Sequence, residues 1–311
     1  MTGGAGFAGF HLCSALLARG DSVVILDNLD PFYDPSEKLK NLSDLHALAT
    51  PGRLTFLQGD VRDEQVYARA LAGVDGVFHL AALAGVRASA RDPARYMDVN
   101  IRGTILLLSA MGHAGVKSAV FASSSSVYGE APTPFSEAAP CFPLSPYGLT
   151  KFCAELLCAA HSHAWGAGIA CARLFSLYGP RQRPDLVLRR FTSALLRGEP
   201  VELYGNGARD YTEISDAVTG LLRCMDWALR YDSCESFNLS GGRAVSTEEL
   251  LSLLCKELAV APRKLRLPRD PLDPLLTLAN LEKSSAILGY TPKVPFEEGV
   301  QRFLSWMVPS A

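Results

Sequence analysis

Tyr147 and Lys151 stand four residues apart, directly behind a Ser145-Pro146 pair. Serine caps a helix and proline fits its first turn, so the tyrosine and lysine are expected one above the other on a single helix face. That spacing suits general acid–base work on a hydroxyl. A phenol with a pKa of about 10 is a poor base at neutral pH, and an adjacent ammonium stabilises its phenolate. Upstream, Phe121-Ala122-Ser123-Ser124-Ser125-Ser126-Val127-Tyr128-Gly129 reads as the end of an apolar strand that begins at Ser118 and finishes in a row of hydroxyls. A serine at that strand end can share the substrate hydroxyl with the phenolate. A Tyr-x-x-x-Lys pair also arises on ordinary solvated helices. The hydroxyl row and the start of the chain distinguish this one.

The chain opens Met1-Thr2-Gly3-Gly4-Ala5-Gly6-Phe7-Ala8-Gly9, with Gly3, Gly6 and Gly9 at Gly-x-x-Gly-x-x-Gly spacing. A helical pattern over 10–19 follows, closed by Gly20, then a short apolar strand over 22–26 and Asp27. This is a dinucleotide fingerprint. Glycines let the backbone approach a pyrophosphate, the helix N-terminus faces its charge, and a later carboxylate receives the ribose 2′-hydroxyl. Asp27 would repel a 2′-phosphate and no arginine follows it directly, so NAD is favoured over NADP. Gly3, Gly6, Phe7, Ala8, Asp27 and Asn28 are the candidate contacts here.

The elements that must hold these groups alternate. Strands are expected over 54–61, 76–82, 169–174, 201–204 and 236–239, and helices over 64–72, 100–114, 186–197, 216–229 and 247–258. Ser246 caps the last helix, with Glu249 placed for a capping box. Alternation of this kind predicts an α/β fold, a doubly wound parallel sheet, with a smaller C-terminal α/β substrate domain. The dinucleotide-binding domain is expected over 1–175 and 211–240, and the substrate domain over 176–210 and 241–311. Ligands meet such sheets at strand ends, which selects Asp60, Val61, Leu80, Ala81 and Ala82 as further cofactor contacts.

Composition narrows the class. The chain has 311 residues, 48% hydrophobic and 20% charged, with a net charge of −2, so it carries no electrostatic footprint for nucleic acid or an anionic membrane. No apolar run is long enough to span a bilayer, and no leader pattern opens the sequence. Eight scattered cysteines without a Cys-x-x-Cys pair are expected as reduced thiols in a cytoplasmic protein. The six histidines form no ligand cluster, so no metal is expected.

With these pieces placed, the chain resembles the extended short-chain dehydrogenase/reductase family of nucleotide-sugar enzymes, and within it the UDP-glucuronate 4-epimerases. The likeness covers nearly the whole chain. It rests on Thr2-Gly3-Gly4-Ala5-Gly6-Phe7, Asp60-Val61-Arg62-Asp63, His79-Leu80-Ala81-Ala82, 123–129, Tyr147-x-x-x-Lys151 and Arg209-Asp210-Tyr211-Thr212. The glucuronate branch is suggested by Asp27-Asn28 with Phe32-Tyr33-Asp34, Ala84-Gly85-Val86-Arg87, and Tyr178-Gly179-Pro180 leading to Arg183-Pro184-Asp185. The resemblance implies Ser124, Tyr147 and Lys151 as the catalytic group, with Lys151 lowering the pKa of Tyr147 and holding the nicotinamide ribose. It adds Asn100 as a cofactor contact. It also implies Ser125, Ser126, Ser176 and Arg183 around the sugar, Arg87 and Arg209 on the diphosphate, and Asp273 near the uridine.

Related dehydratases and decarboxylases carry a carboxyl group just after the catalytic hydroxyl, whereas this chain has Ser125 and Ser126. Elimination then lacks its general acid, and a pair of neutral hydroxyls can cradle a substrate carboxylate. The expected reaction is NAD-dependent conversion of UDP-glucuronate to UDP-galacturonate through a 4-keto sugar. The alternatives are a UDP-glucose/galactose 4-epimerase and an idle NAD- or nucleotide-sugar-binding protein. A homodimer through helices 101–114 and 147–164 is expected by the same resemblance, with Leu156, Leu157 and Ala160 outermost.

Several positions depart from the family pattern: Ala8 and Phe10 in the glycine loop, the short Gly205-Asn206-Gly207-Ala208-Arg209 loop, Ser176, and Ser215 where an acid is usual. The family also places an apolar strand ahead of the glycine loop, and only Met1 stands there. An incomplete first strand is therefore expected, with a product that begins upstream. The chain as written is expected to bind NAD weakly, because each buried aliphatic side chain lost from a central strand forfeits about 1.5–3 kcal/mol.

Overall fold

In the computed structural model, which describes residues 1–308, strands and helices alternate from the start. The glycine loop enters α1 (Phe7–Arg19), which Gly20 ends in a left-handed conformation. β1 (Val23–Asp27) pairs in parallel with β2 (Leu54–Gln58) across α2 (Pro35–Leu48). Asp34 starts α2 by accepting the Ser36 N–H, with Pro35 in the first turn. Then come α3 (Glu64–Ala70), β3 (Val77–His79), α4 (Val86–Arg91), α5 (Pro93–Met97), a π-helical turn at Asp98–Arg102, and α6 (Gly103–Ala114). β4 (Ser118–Ser124), α7 (Pro146–Trp165) and β5 (Gly168–Leu174) form the middle of the sheet.

Beyond the middle lie β6 (Ser176–Tyr178), α8 (Val187–Leu196), β7 (Val201–Tyr204), β8 (Ala208–Glu213), α9 (Ile214–Ala228) and β9 (Cys234–Leu239). The chain closes with β10 (Ala244–Ser246), α10 (Thr247–Leu258), β11 (Lys264–Leu267), α11 (Glu282–Leu288) and α12 (Phe296–Met307). The capping box of Ser246 and Glu249 starts α10 as the sequence predicts.

β3, β4, β5 and β9 form a parallel sheet in that order. β4 is buried along its whole length, which its Ala-Val-Phe-Ala centre allows. The β1–β2 pair meets this sheet through residues 1–3, where Thr2 bridges Leu26 on one side and His79 on the other. Thr2 N donates to Phe78 O at 3.0 Å, and Leu26 N donates to Met1 O at 2.8 Å. The seat expected for a first strand is thus held by 1–3 alone. Expected strands 54–61 and 76–82 are shorter in fact, because Gly59-Asp60-Val61 and Leu80-Ala81-Ala82 leave the ladder to line the strand ends.

One apolar core packs α1 and α9 against the sheet, and a second packs α3, α6 and α7 against its other face. A third, around Leu188, Phe191, Leu203, Leu251, Val300 and Phe303, gathers α8, α10, α12 and β7. The structure shows no disulfide among the described residues, and no helix there is long and apolar enough to cross a membrane.

Candidate active site

The glycine loop is built by backbone pressed against backbone. Gly3 has φ 72°, and a Cβ on it would lie 2.7 Å from Ala81 N. A Cβ on Gly9 would lie 2.2 Å from Gly3 O. Gly6 differs: its Cβ would meet only Gly3 O, at 3.4 Å, so its open side faces free space. The α1 N-terminus behind it has no side-chain cap and no acidic residue in its first turn. An uncapped 13-residue helix with bare N–H groups and no Cβ in the way suits a pyrophosphate.

Asp27 is buried where β1 ends. Its Oδ2 accepts the Ala5 N–H at 3.1 Å and its Oδ1 the Leu29 N–H at 2.9 Å, so it also fixes the loop. Asn28 donates to Asp60 Oδ2 at 2.8 Å, and Arg62 clasps both Asp60 oxygens. The Arg62 guanidinium holds Asp60 well below the usual carboxylate range. Val61 packs beside Gly103, where an added Cβ would lie 2.7 Å from Val61 Cγ2. Leu80 N donates to Thr2 O and Ala81 N to Thr2 Oγ1.

His79 ties this corner together. Thr104 Oγ1 donates to Asn100 O at 2.6 Å, so it accepts from His79 Nε2. His79 Nδ1 then accepts from Thr2 Oγ1 at 2.7 Å. Burial pushes His79 down to about 3 and keeps it neutral. Asn100, expected as a cofactor contact, spends its amide inside the protein. It accepts from Leu83 N and donates to Leu83 O and Thr150 Oγ1, fastening the end of β3 to α7.

Ser145 caps α7 by accepting the Gly148 N–H at 3.1 Å, which sets Tyr147 and Lys151 on one face. Lys151 Nζ donates to Ala122 O at 2.7 Å and lies 4.9 Å from the Phe121 ring centroid and 5.9 Å from that of Tyr147. Burial lowers Lys151 to about 8, against the opposing influence of Cys158 and Glu155. Burial raises Tyr147, while the Ser124 hydroxyl and the charge of Arg183 pull the other way. Arg183 thus joins Lys151, whose Nζ lies 5.9 Å from the Tyr147 ring centroid, as a second cation beside this phenol. Ser124 Oγ accepts the Ser126 N–H at 3.1 Å and donates to Ser126 Oγ at 3.2 Å, so the hydroxyl row is mutually ordered.

Arg183 donates from Nε and Nη2 to Asp185 at 2.9 and 2.6 Å, lies 5.4 Å above the Phe32 ring, and has no protein partner for Nη1 among the described residues. Its charge also reaches Tyr33 and Tyr96, and Tyr96 meets Tyr147 edge-on at 6.5 Å. Neither phenol is distinguished by spacing in the sequence; the Phe32-Tyr33 pair is its only signal. Farther along the cleft, Arg87 stacks on Tyr204 at 3.9 Å and pairs with Asp270 and Asp273, each at 3.1 Å. Arg209 donates to Ala208 O; burial lowers it, and Asp273 opposes that. Arg87, Arg209 and Asp273 thus gather into one cluster, which includes Arg269. Ser176 opens β6 opposite Tyr211. The unusual Phe10 carries the Arg181 guanidinium at 3.8 Å, and Arg181 reaches on to Asn41, whose amide donates to Ala5 O. Ser215 donates to Glu213, the cap of α9.

Residues 1–240 match the model of the NAD dependent epimerase/dehydratase family. The chain belongs to this family. NAD is accordingly the cofactor of this epimerase, and the open side of Gly6, the bare α1 N-terminus and Asp27 fit it. Among its relatives is the UDP-glucuronate 4-epimerase of Thermodesulfobacterium geofontis, 35% identical over 98% of this chain and 94% of that protein. The crystal structure of the Bacillus cereus UDP-glucuronic acid 4-epimerase, in complex with UDP-glucuronic acid and NAD, superposes with a TM-score of 0.93 at 33% identity, covering 98% and 97% of the two chains. The UDP-glucose 4-epimerase of Thermotoga maritima, with UDP-glucose, gives 0.88 at 31% identity over 98% and 97%.

Proposed function

We propose that this epimerase inverts C4 of a UDP-hexuronate, converting UDP-glucuronate to UDP-galacturonate. The observation that carries the reading is the pairing of an all-hydroxyl row, Ser124 to Ser126, with a cation, Arg183, whose Nη1 is free and whose charge reaches Tyr147. A hexuronate carboxylate is the substrate group that such donors suit, through charge-assisted bonds. The relatives named for UDP-glucuronate support it.

Gly3, Gly6, Phe7, Ala8, Asp27, Asn28, Lys151 and the strand ends at Asp60, Val61, Leu80, Ala81 and Ala82 hold the cofactor. When bound, NAD accepts a hydride and returns it, so the sugar undergoes no net oxidation. Tyr147, ionised, takes the proton from the C4 hydroxyl, and Ser124 donates a hydrogen bond to the same oxygen. The sugar turns over as a 4-keto species so that the opposite face of C4 would meet the cofactor, and the Tyr147 phenol gives the proton back to the C4 oxygen. Ser125, Ser126, Ser176 and Arg183 hold the sugar and its carboxylate. Arg87 and Arg209 hold the diphosphate, with Asp273 between them near the uridine. The enzyme pairs as a homodimer through α6 and α7, where Ile105, Leu149 and Leu156 are exposed. A monomer in sedimentation at micromolar concentration, on the order of a typical specific affinity, removes that part.

Incubation with UDP-glucuronate and, separately, UDP-glucose, with products resolved by chromatography, tests the reading. The galacto isomer of the uronate is expected. Conversion of UDP-glucose alone selects the neutral-sugar epimerase, and no conversion of either with NAD bound leaves an idle binder.

A further inference from the structure

A charged core lies beneath the catalytic centre. Glu155 on α7 and Arg173 on β5 are each 6% exposed. Arg173 donates from Nη2 to Glu155 Oε2 at 2.7 Å and from Nε to Oε1 at 3.0 Å. Ser123 Oγ donates to Oε1, and Ser236 Oγ, on β9, to Oε2 at 3.4 Å. The remaining Arg173 Nη1 donates to the Tyr128 hydroxyl at 2.9 Å, which donates to Asn238 Oδ1 at 2.7 Å. One ion pair thus ties β4 and β5 near their C-terminal ends, and β9 at its middle, to α7.

Its location relates it to the site. Ser123 sits between Ser124 and Ala122, whose carbonyl seats Lys151. Glu155 stands one turn past Lys151 and two past Tyr147, on the same helix face. A buried ion pair is weak evidence for stability, since well-packed apolar residues serve as well. The charge itself is therefore what needs explaining. Around Lys151 are Tyr147, Glu155 and Cys158 from α7, the Phe121 ring from β4, and His79 from β3, which burial keeps neutral. Glu155 is the one carboxylate among them.

We propose that Glu155 is a positioning residue for the epimerase reaction: it is the counter-charge of Lys151 and, with Arg173, the anchor that holds β4 through Ser123. It touches neither substrate nor cofactor. The inference rests on the acid–base assignment of Tyr147 and Lys151, but not on the identity of the sugar.

The test follows the titration of Lys151 directly, by NMR of protein labelled with 13C-lysine, the signal being assigned with Lys151→Met. This readout needs no turnover, so it stands even where UDP-glucuronate is not the substrate. Glu155→Gln removes the charge and keeps one of the two acceptor oxygens, the other becoming an amide NH2. The Lys151 midpoint is expected about one pH unit lower, since loss of the carboxylate also leaves the Arg173 cation uncompensated in the same core. The alkaline limb of kcat moves down with it, while KM changes little. Should this variant fail to fold, Glu155→Gln/Arg173→Met, in which both buried charges leave together, is expected to move the midpoint in the same direction by less, because Arg173 offsets part of the Glu155 charge. A folded variant of either kind with an unmoved Lys151 midpoint overturns the proposal.

Discussion

Arg183→Met removes a cation that acts on Tyr147 and has a donor to spare. Two of its donors are committed to Asp185, leaving Nη1 for a ligand. One hydrogen bond from a charged donor contributes about 1.5–3 kcal/mol, which is a factor of about 10–150 in Kd. The change also strands the Asp185 carboxylate beside the position proposed for a substrate carboxylate, and like-charge repulsion moves the loss toward the upper end of that range. A neutral sugar meets no such repulsion. Calorimetric titration of UDP-glucuronate and UDP-glucose, on a Tyr147→Phe background that stops turnover, is the assay. UDP-glucuronate is expected to lose the stated factor while UDP-glucose changes little, and adding Asp185→Asn recovers part of the loss. An equal loss for both sugars, or none for the uronate, refutes a carboxylate contact at Arg183.

Three further outcomes are expected. Gly9→Ala should lower the melting temperature, because its Cβ would lie 2.2 Å from Gly3 O and 2.7 Å from Gly4 Cα. Gly6→Ala should leave melting unchanged and weaken NAD binding, read by titration, because its Cβ projects into open space in front of α1. Asp210 is raised from 3.8 to about 6 by burial, with the Ser240 hydroxyl and backbone N–H groups opposing. The folded protein then binds that proton more tightly than the unfolded chain, so stability falls as pH rises from about 4 to about 6. The size is about 3 kcal/mol, at 1.36 kcal/mol per unit. Neutral His79 contributes the opposite slope throughout that range, so the difference between wild type and Asp210→Asn in urea unfolding isolates the term. The variant should gain on wild type as pH rises, and a constant difference contradicts it.

Local signals were legible in the sequence, and distant partnerships were not. The glycine spacing, the Ser145-Pro146 cap and the four-residue step from Tyr147 to Lys151 are short-range patterns, and all three appear as structure. α2 escaped the pattern because its buried face begins with Lys38 and Asn41, which interrupt the apolar period. Asn100 looked like a ligand contact until the Leu83 backbone and Thr150 were seen to consume its amide. Arg87 and Asp273 meet across 186 residues, and Glu155 meets Arg173 and Ser123 from three separate elements. Only the folded chain supplies such pairs. The same holds for the Arg183 charge that reaches Tyr147, which comes from another segment.

The central claim is that Tyr147 moves the C4 hydroxyl proton while the carbon-bound hydrogen leaves and returns without meeting solvent. Running the reaction on UDP-glucuronate in D2O and reading the product by proton NMR tests it most directly. The account predicts UDP-galacturonate with protium retained at C4 and C5, and turnover in Tyr147→Phe lower by about two to four orders of magnitude. Deuterium on the sugar ring, or full turnover without the Tyr147 hydroxyl, contradicts it.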